Sequence, residues 1–304
     1  MSRRHLVMLL ALAALWGSSF MFIEIALRDL APSTLILLRM LSGAVTLAAY
    51  VVLARLDVAA MRPYVWPLAL LGAGNTAVPF FLIAWGQQYI DSGLASILNA
   101  SAPLFTALFA LGYDRSQRSS GLRLVGILLG FAGVVLLVGF ELSGGERAVV
   151  GGLAVVAASA CYGLGGLYAG RRFAGLPAPL MAYGALLWSS LLVAPVGIAQ
   201  ATTPSWDATL AVLYLGVLAT GMAYLLYFGL IAGAGASKAV LVTYLVPSLA
   251  LAYGAVFLDE EITAVALAGL ALVLAGVALG TGALRRNGRV AARSRRRAAD
   301  SLTP

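Results

Sequence analysis

The chain has 304 residues, of which 62% are hydrophobic and only 11% charged, and its formal net charge is +8. So little charge cannot cover a soluble surface. The basic residues sit in short segments and at the C-terminal end, so membrane topology, not nucleic-acid binding, accounts for them. One cysteine, Cys161, and one histidine, His5, leave no internal disulfide, no CxxC framework and nothing to build a zinc site or a Ser-His-Asp triad. No metal, cofactor or catalytic residue is expected.

In chain order, Ser2-Arg3-Arg4-His5 opens like the n-region of a signal peptide, but the apolar run continues from Leu6 to Leu27 without a small-x-small cleavage site, which predicts an uncleaved first span. A bilayer core of about 30 Å takes about 20 helical residues. Runs of that length tile the sequence at 6–27, 33–53, 66–87, 93–112, 122–140, 150–170, 179–199, 208–230, 237–257 and 263–283. The breaks carry turn and charge signals: Arg28-Asp29-Leu30-Ala31-Pro32, Arg55 to Pro63, Asp114 to Gly121, Ser143-Gly144-Gly145-Glu146, Arg171 to Pro179, Thr203-Pro204-Ser205 and Asp259-Glu260-Glu261. The prediction is an all-α integral membrane protein with ten transmembrane helices, since lipid leaves no partner for an unpaired backbone amide and the alternation of an outer-membrane barrel is absent. Residues 285–304, with seven arginines from Arg285 to Arg297, form a basic tail expected to be disordered, cytoplasmic and able to meet anionic lipid.

Arginine and lysine set the orientation. With the N-terminus in the cytoplasm, Arg3, Arg4, Arg55, Arg62, Arg115, Arg118, Arg123, Arg171, Arg172 and the tail arginines fall inside, and Arg28 and Arg147 outside. Lys238 is placed near an outer helix start, as a snorkelling end residue or a substrate contact. The Asp259-Glu260-Glu261 loop is placed inside.

The halves 6–140 and 150–283 resemble each other. Gly72, Thr76 and Pro103 match Gly216, Thr220 and Pro247 at an offset of 144, Gly126 and Gly133 match Gly269 and Gly276 at 143, and Trp16-Gly17 aligns with Tyr162-Gly163. Five spans per half is an odd number, so the second copy enters from the opposite side, giving an inverted repeat of the kind secondary transporters use.

These segments together resemble the EamA family of the drug/metabolite transporter (DMT) superfamily, over about residues 6–283. The carriers are Trp16-Gly17-Ser18-Ser19-Phe20, Leu38-Arg39-Met40, Ala95 through Pro103, Ala239 through Pro247, and Leu258-Asp259-Glu260-Glu261-Ile262-Thr263 followed by Gly269 and Gly276. The resemblance implies two five-helix repeats around a central cavity, in a bacterial-type inner membrane with both termini cytoplasmic. It also implies export or exchange of amino acids, other small metabolites or toxic organic compounds. The chain departs from the family in having Ser116-Gln117 where a Glu is common, and Glu24 where a basic residue is common.

Charge inside a membrane is costly and therefore informative. Trp16, Phe20 and Glu24 share a helix face at i, i+4, i+8. Arg39 is expected at a depth similar to Glu24, as its ion-pair or alternating partner. In that arrangement Glu24 could carry a coupling proton, or Arg39 could hold a substrate carboxylate. The plainer alternative is that Glu24 reaches outer water and Arg39 caps helix ends. Ser18, Asn75, Thr76, Asn99, Ser101, Thr243 and Tyr244 are polar candidates for the transport path, beside helix kinks at Pro79, Pro103 and Pro247; interhelical bonding without ligand contact is the alternative. Tyr162, Tyr168, Trp188, Tyr224 and Tyr227 could line a cavity or simply pack, whereas Trp66 and Trp206 read as an interfacial belt. The glycines of spans 5 and 10 serve close packing within the chain or dimerisation, so a monomer and a homodimer both remain open. With no GxxxxGK[ST] motif, the reading is a secondary transporter of a small metabolite, exporting by alternating access, and not an enzyme. A sugar-phosphate or nucleotide-sugar exchanger would need several basic residues in the cavity. A non-transporting receptor or scaffold would have no need of matched kinks.

Overall fold

The computed structural model describes residues 1–113, 121–140 and 145–281, so Arg115, Ser116, Gln117, Arg118, the break at Ser143-Gly144 and the basic tail lie outside the described residues. Among the described residues there is no strand. Eight helical stretches are long and apolar enough to cross a bilayer, and two shorter apolar helices follow them. The first crossing is α1 (Arg3–Leu27), begun by Ser2, whose hydroxyl accepts from the His5 amide at 3.3 Å. The second is α2 (Pro32–Leu53), whose proline sits at the helix start, where no amide proton is needed.

Among the described residues, four spans are internally broken. The stretch Val58–Gly86 comprises a 3-10 segment (Val58–Tyr64), α3 (Val65–Gly72), a π-helical turn (Ala73–Ala77) and α4 (Val78–Gly86). Pro79 cannot donate to the carbonyl four residues back, that of Asn75, and the widened turn falls at that point. The next crossing is split into α5 (Ser92–Asn99) and α6 (Ala102–Tyr113) ahead of Pro103. After α7 (Gly121–Phe140), α8 (Glu146–Arg172) and α9 (Ala178–Ala199), the stretch Trp206–Ala234 runs as α10 (Trp206–Leu213), a second π-helical segment (Tyr214–Met222) and α11 (Ala223–Ala234). This second widening has no proline in it; Gly216 and Gly221 lie there instead. The predicted span 237–257 appears as α12 (Ala236–Ala239) and α13 (Val242–Phe257), with Pro247 inside α13, and α14 (Ala264–Gly280) ends the described chain.

The two halves make matching contacts. α1 packs along α13 as α8 packs along α6, and α2 meets α9 directly. A side chain at Gly17 would run into Leu249 and Val246, and one at Gly163 into Phe105. The glycine faces of α7 and α14 meet each other: a Cβ at Gly276 would collide with the backbone of Gly130, and one at Gly126 with Gly280 and Leu279. These small residues let the two backbones touch, so both stripes are occupied within one chain.

Two expectations about sidedness are corrected. The Asp259-Glu260-Glu261 loop shares an end with Arg28 and Asp91, because Glu260 accepts from the Ser92 and Gly93 amides directly after Asp91. Lys238 belongs to the opposite end, since Gly233, just before α12, packs on the His5 ring at the chain's N-terminal end. Each crossing reverses the side, so the break before span 9 returns to the N-terminal end and the break after it to the Arg28 end.

Gly276→Val should therefore push the α7–α14 seam apart and lower stability by about 1–3 kcal/mol. Gly166→Ala, at a position with nothing within 4 Å, should be neutral or slightly stabilising. Thermal unfolding of both purified variants checks the contrast.

Candidate functional site

Where the broken helices meet, the two halves enclose a cavity of about 370 Å³, near the lower end of the roughly 300–1,000 Å³ usual for small-molecule sites. From α1 come Trp16, Ser19, Phe20 and Ile23, which fit one helical stripe. Corresponding residues of the two halves both contribute to the cavity wall. Trp16 and Tyr162 both line it, as do Phe80 and Tyr224, Asn99 and Thr243, and Pro103 and Pro247. Asn75 reaches it past Gly165, where any side chain would collide with the Asn75 amide.

Arg39 breaks this symmetry. Among the described residues it is the one charged residue in the cavity lining, and it is only 7% exposed. Its Nε donates to Thr220 Oγ1 at 3.0 Å, and its guanidinium lies over the Phe80 ring, 4.3 Å from the centroid. Cation–π contact and one neutral hydrogen bond are modest compensation for a buried charge. Tyr162 and Tyr224 are its other electrostatic neighbours, and no carboxylate is among them.

Glu24 and Arg39 form no ion pair. Glu24 is not among the residues lining this cavity; its electrostatic neighbours are Glu260, Arg28 and Asp91, and its Oε2 is buried without a hydrogen-bond partner. Two features of helix geometry explain the miss. Each four-residue step turns about 40° away from the starting face, so Ile23, not Glu24, continues the stripe of Trp16 and Phe20. Counting from the helix ends, Arg39 is seven residues into α2 and Glu24 three from the end of α1, a depth difference of about 6 Å.

Of the other predicted residues, Trp16, Phe20, Asn75, Asn99, Tyr162, Tyr224 and Thr243 line the cavity, together with Tyr227. Ser18, Thr76, Ser101, Trp188 and Tyr244 do not. Ser18 bonds Tyr214 Oη at 2.7 Å. Ser101 is fully buried and turns back to Leu98 O at 2.6 Å. Trp188 stacks on Trp66 with centroids 6.1 Å apart, and Tyr168 packs edge-on to Phe173. Trp66 and Trp206 are 77% and 82% exposed, as an interfacial belt requires.

Sequence reasoning missed Ser19, Phe80, Ser96 and Thr220 in the lining, and Ser159 behind it. The Ser159 hydroxyl lies 3.2 Å from Leu98 O, which also accepts from Ser101, and 3.3 Å from Asn99 O, the carbonyl to which Pro103 cannot donate. Thr220 was findable as the repeat partner of Thr76. Ser159 gave no signal, because the element it serves is distant in the chain. Asn99 Oδ1 and Ser96 Oγ are buried without hydrogen-bond partners and belong to residues of the cavity wall.

The model of the EamA-like transporter family matches residues 3–139 and again 149–281. The chain belongs to the EamA family. It is thus a multi-pass membrane transporter of the DMT superfamily and not an enzyme. A "Probable amino-acid metabolite efflux pump" of Salmonella typhimurium is 30% identical, over 91% of this chain and 94% of the relative. The "Uncharacterized inner membrane transporter YedA" of Escherichia coli is 28% identical, over 90% of this chain and 89% of the relative. A solved crystal structure shares the fold with TM-score 0.67 at 23% identity, covering 92% of this chain and 98% of the other.

Thr220→Val keeps the shape but leaves the Arg39 Nε–H without its acceptor. It should cost about 1.5–3 kcal/mol, the range for hydrogen bonds to charged groups, read as a lowered melting temperature against Thr209→Val, whose hydroxyl bonds only its own helix end.

Proposed function

We propose that this EamA protein exports a small zwitterionic metabolite, an amino acid or a close relative, across the inner membrane by alternating access of two inverted five-helix halves. Both termini then lie in the cytoplasm. Moving Lys238 to the N-terminal end and the acidic 259–261 loop to the Arg28 end sharpens the charge asymmetry that supports this orientation.

The observation that carries the reading is Arg39, a buried cation facing a cavity without an acidic partner. A substrate carboxylate is the natural counter-charge, and a guanidinium meets it with two parallel hydrogen bonds. Asn99 Oδ1 and Ser96 Oγ offer unused acceptors for an ammonium group. Trp16, Phe20 and the cavity tyrosines supply apolar surface for the rest of the molecule. One cation fits a carboxylate better than a di-anionic sugar phosphate, for which several basic groups would be expected. The relatives named as amino-acid metabolite efflux pumps support the same class.

Counterflow into proteoliposomes preloaded with mixed amino acids and related metabolites tests this. Saturable uptake of a labelled α-amino acid is expected. Arg39→Leu should reduce kcat/KM by about 100-fold or more, the loss of one desolvated charge-assisted contact of about 3 kcal/mol, and Arg39→Lys should retain part of it. Uptake unchanged in Arg39→Leu would refute the role of Arg39.

A further inference from the structure

At the Arg28 end the two halves are tied by polar bonds. Asp29 accepts from the Ser205 amide at 3.0 Å, Ser33 donates to Gln200 at 2.6 Å, and Glu260 accepts from Ser92 N and Gly93 N at 2.8 and 2.9 Å. The last tie is unusual in its design. Asp91 stands at the N-cap of α5 and is the right residue type for that place, yet its side chain makes no cap bond. Glu260, from the other half, has taken the free amides of α5. The chain is shaped for this. Asp259 adopts the left-handed conformation (φ 59°), and the Glu260 amide bonds Gly254 O, folding the loop back over the end of α13. Gly254 leaves the necessary room, since a Cβ there would collide with the Glu260 carboxylate.

Closing this tie gathers carboxylates. Glu260 has Glu24 of α1 and Asp91 ahead of α5 as neighbours, with Asp259 and Glu261 beside it in its own loop, and Arg28, just past the end of α1, neighbours Glu24. Among the described residues, Arg28 is the one cation acting on Glu24. The Ser92 hydroxyl, fully buried beside Glu260, has no hydrogen-bond partner and is free to donate to a carboxyl group. Burial first, and then the Glu260 charge, push the Asp91 carboxyl up from its ordinary value. A group whose pKa is raised in the closed arrangement favours that arrangement below its ordinary value, and the advantage is lost as pH rises through the raised one. Asp29, by contrast, is held below the usual range by hydrogen bonds from Ser205, side chain and then backbone, so its tie does not titrate in the same window.

We propose that the Glu24–Asp91–Glu260 group is a proton-binding site that operates a latch: the Arg28 end closes by docking charged Glu260 on α5 while a neighbouring carboxylate takes up one proton, and it opens on releasing it. Its place in transport rests on the exporter reading, in which closure on the side where substrate leaves draws a proton from that side. The latch itself can be read without substrate.

The test is a distance across the latch, from spin labels at Gln88→Cys and Ile262→Cys in a Cys161→Ala background, in reconstituted full-length protein. The closed population should grow as pH is lowered towards the ordinary carboxylate range, with the closed-to-open ratio changing by up to about tenfold per pH unit for one proton. Asp91→Asn and Glu24→Gln should each keep the latch closed to higher pH. Glu260→Gln should favour the open distance throughout, and so should Gly254→Ala, which keeps the charge and displaces it. A distance distribution indifferent to pH, or a midpoint unmoved in both Asp91→Asn and Glu24→Gln, would overturn the proposal. Absence of counterflow with an intact pH response would count against the exporter reading and leave the latch standing.

Discussion

Every backbone amide within the bilayer core has to find its partner without help from bulk water, and that constraint shapes the rest. It makes the spans helical, and it decides where a helix can be interrupted. The interruptions at Ala73–Ala77, Asn99–Ser101 and Tyr214–Met222 all lie where neighbouring helices or the cavity meet them. Ser159 stands over the Leu98 and Asn99 carbonyls at the end of α5. Irregular backbone concentrates around one place, and that place becomes a cavity with polar groups in an otherwise apolar interior.

The same constraint explains what could be read from the sequence. Apolar runs bounded by Gly, Pro and charge gave the spans, and Pro79 and Pro103 marked two of the interruptions. The widening at Tyr214–Met222 escaped notice because no proline announces it; glycines in a membrane helix are common and read as packing residues. Trp16, Phe20 and Arg39 were legible as aromatic or charged residues placed where neither is cheap. Glu24 stood out for the same reason but was assigned to the wrong neighbours, since an i+4 pattern continued over two steps drifts off its face. Ser96 is too ordinary to stand out in a sequence, and Thr220 stood out only as the repeat partner of Thr76. Their importance comes from what surrounds them, the unpaired hydroxyl in one case and the guanidinium in the other.

Near-symmetry is the frame, and departures from it carry the chemistry. The corresponding aromatics Trp16 and Tyr162, and Phe80 and Tyr224, all line the cavity, as do the corresponding prolines Pro103 and Pro247. Beyond these pairs the balance fails: Asn75 lines the wall where the second half has Ala219, and among the described residues Arg39 stands as the lone charge. Glu260 has Ser116 at the corresponding place of the first half, by the offset of 144. A protein symmetric in its scaffold and asymmetric in its charges has two ends that answer differently to the same solution.

The glycine seam between α7 and α14 has a mechanical side. Two backbones in direct contact, with Gly276 against Gly130 and Gly126 against Gly280, can roll or pivot on each other, but they cannot separate without opening a void that neither lipid nor side chain fills. The seam joins the halves along one edge, backbone against backbone. If they rock about an axis that crosses the seam in the plane of the membrane, widening one mouth of the cavity narrows the other, and a leak through both at once is prevented by geometry before any side chain acts as a gate.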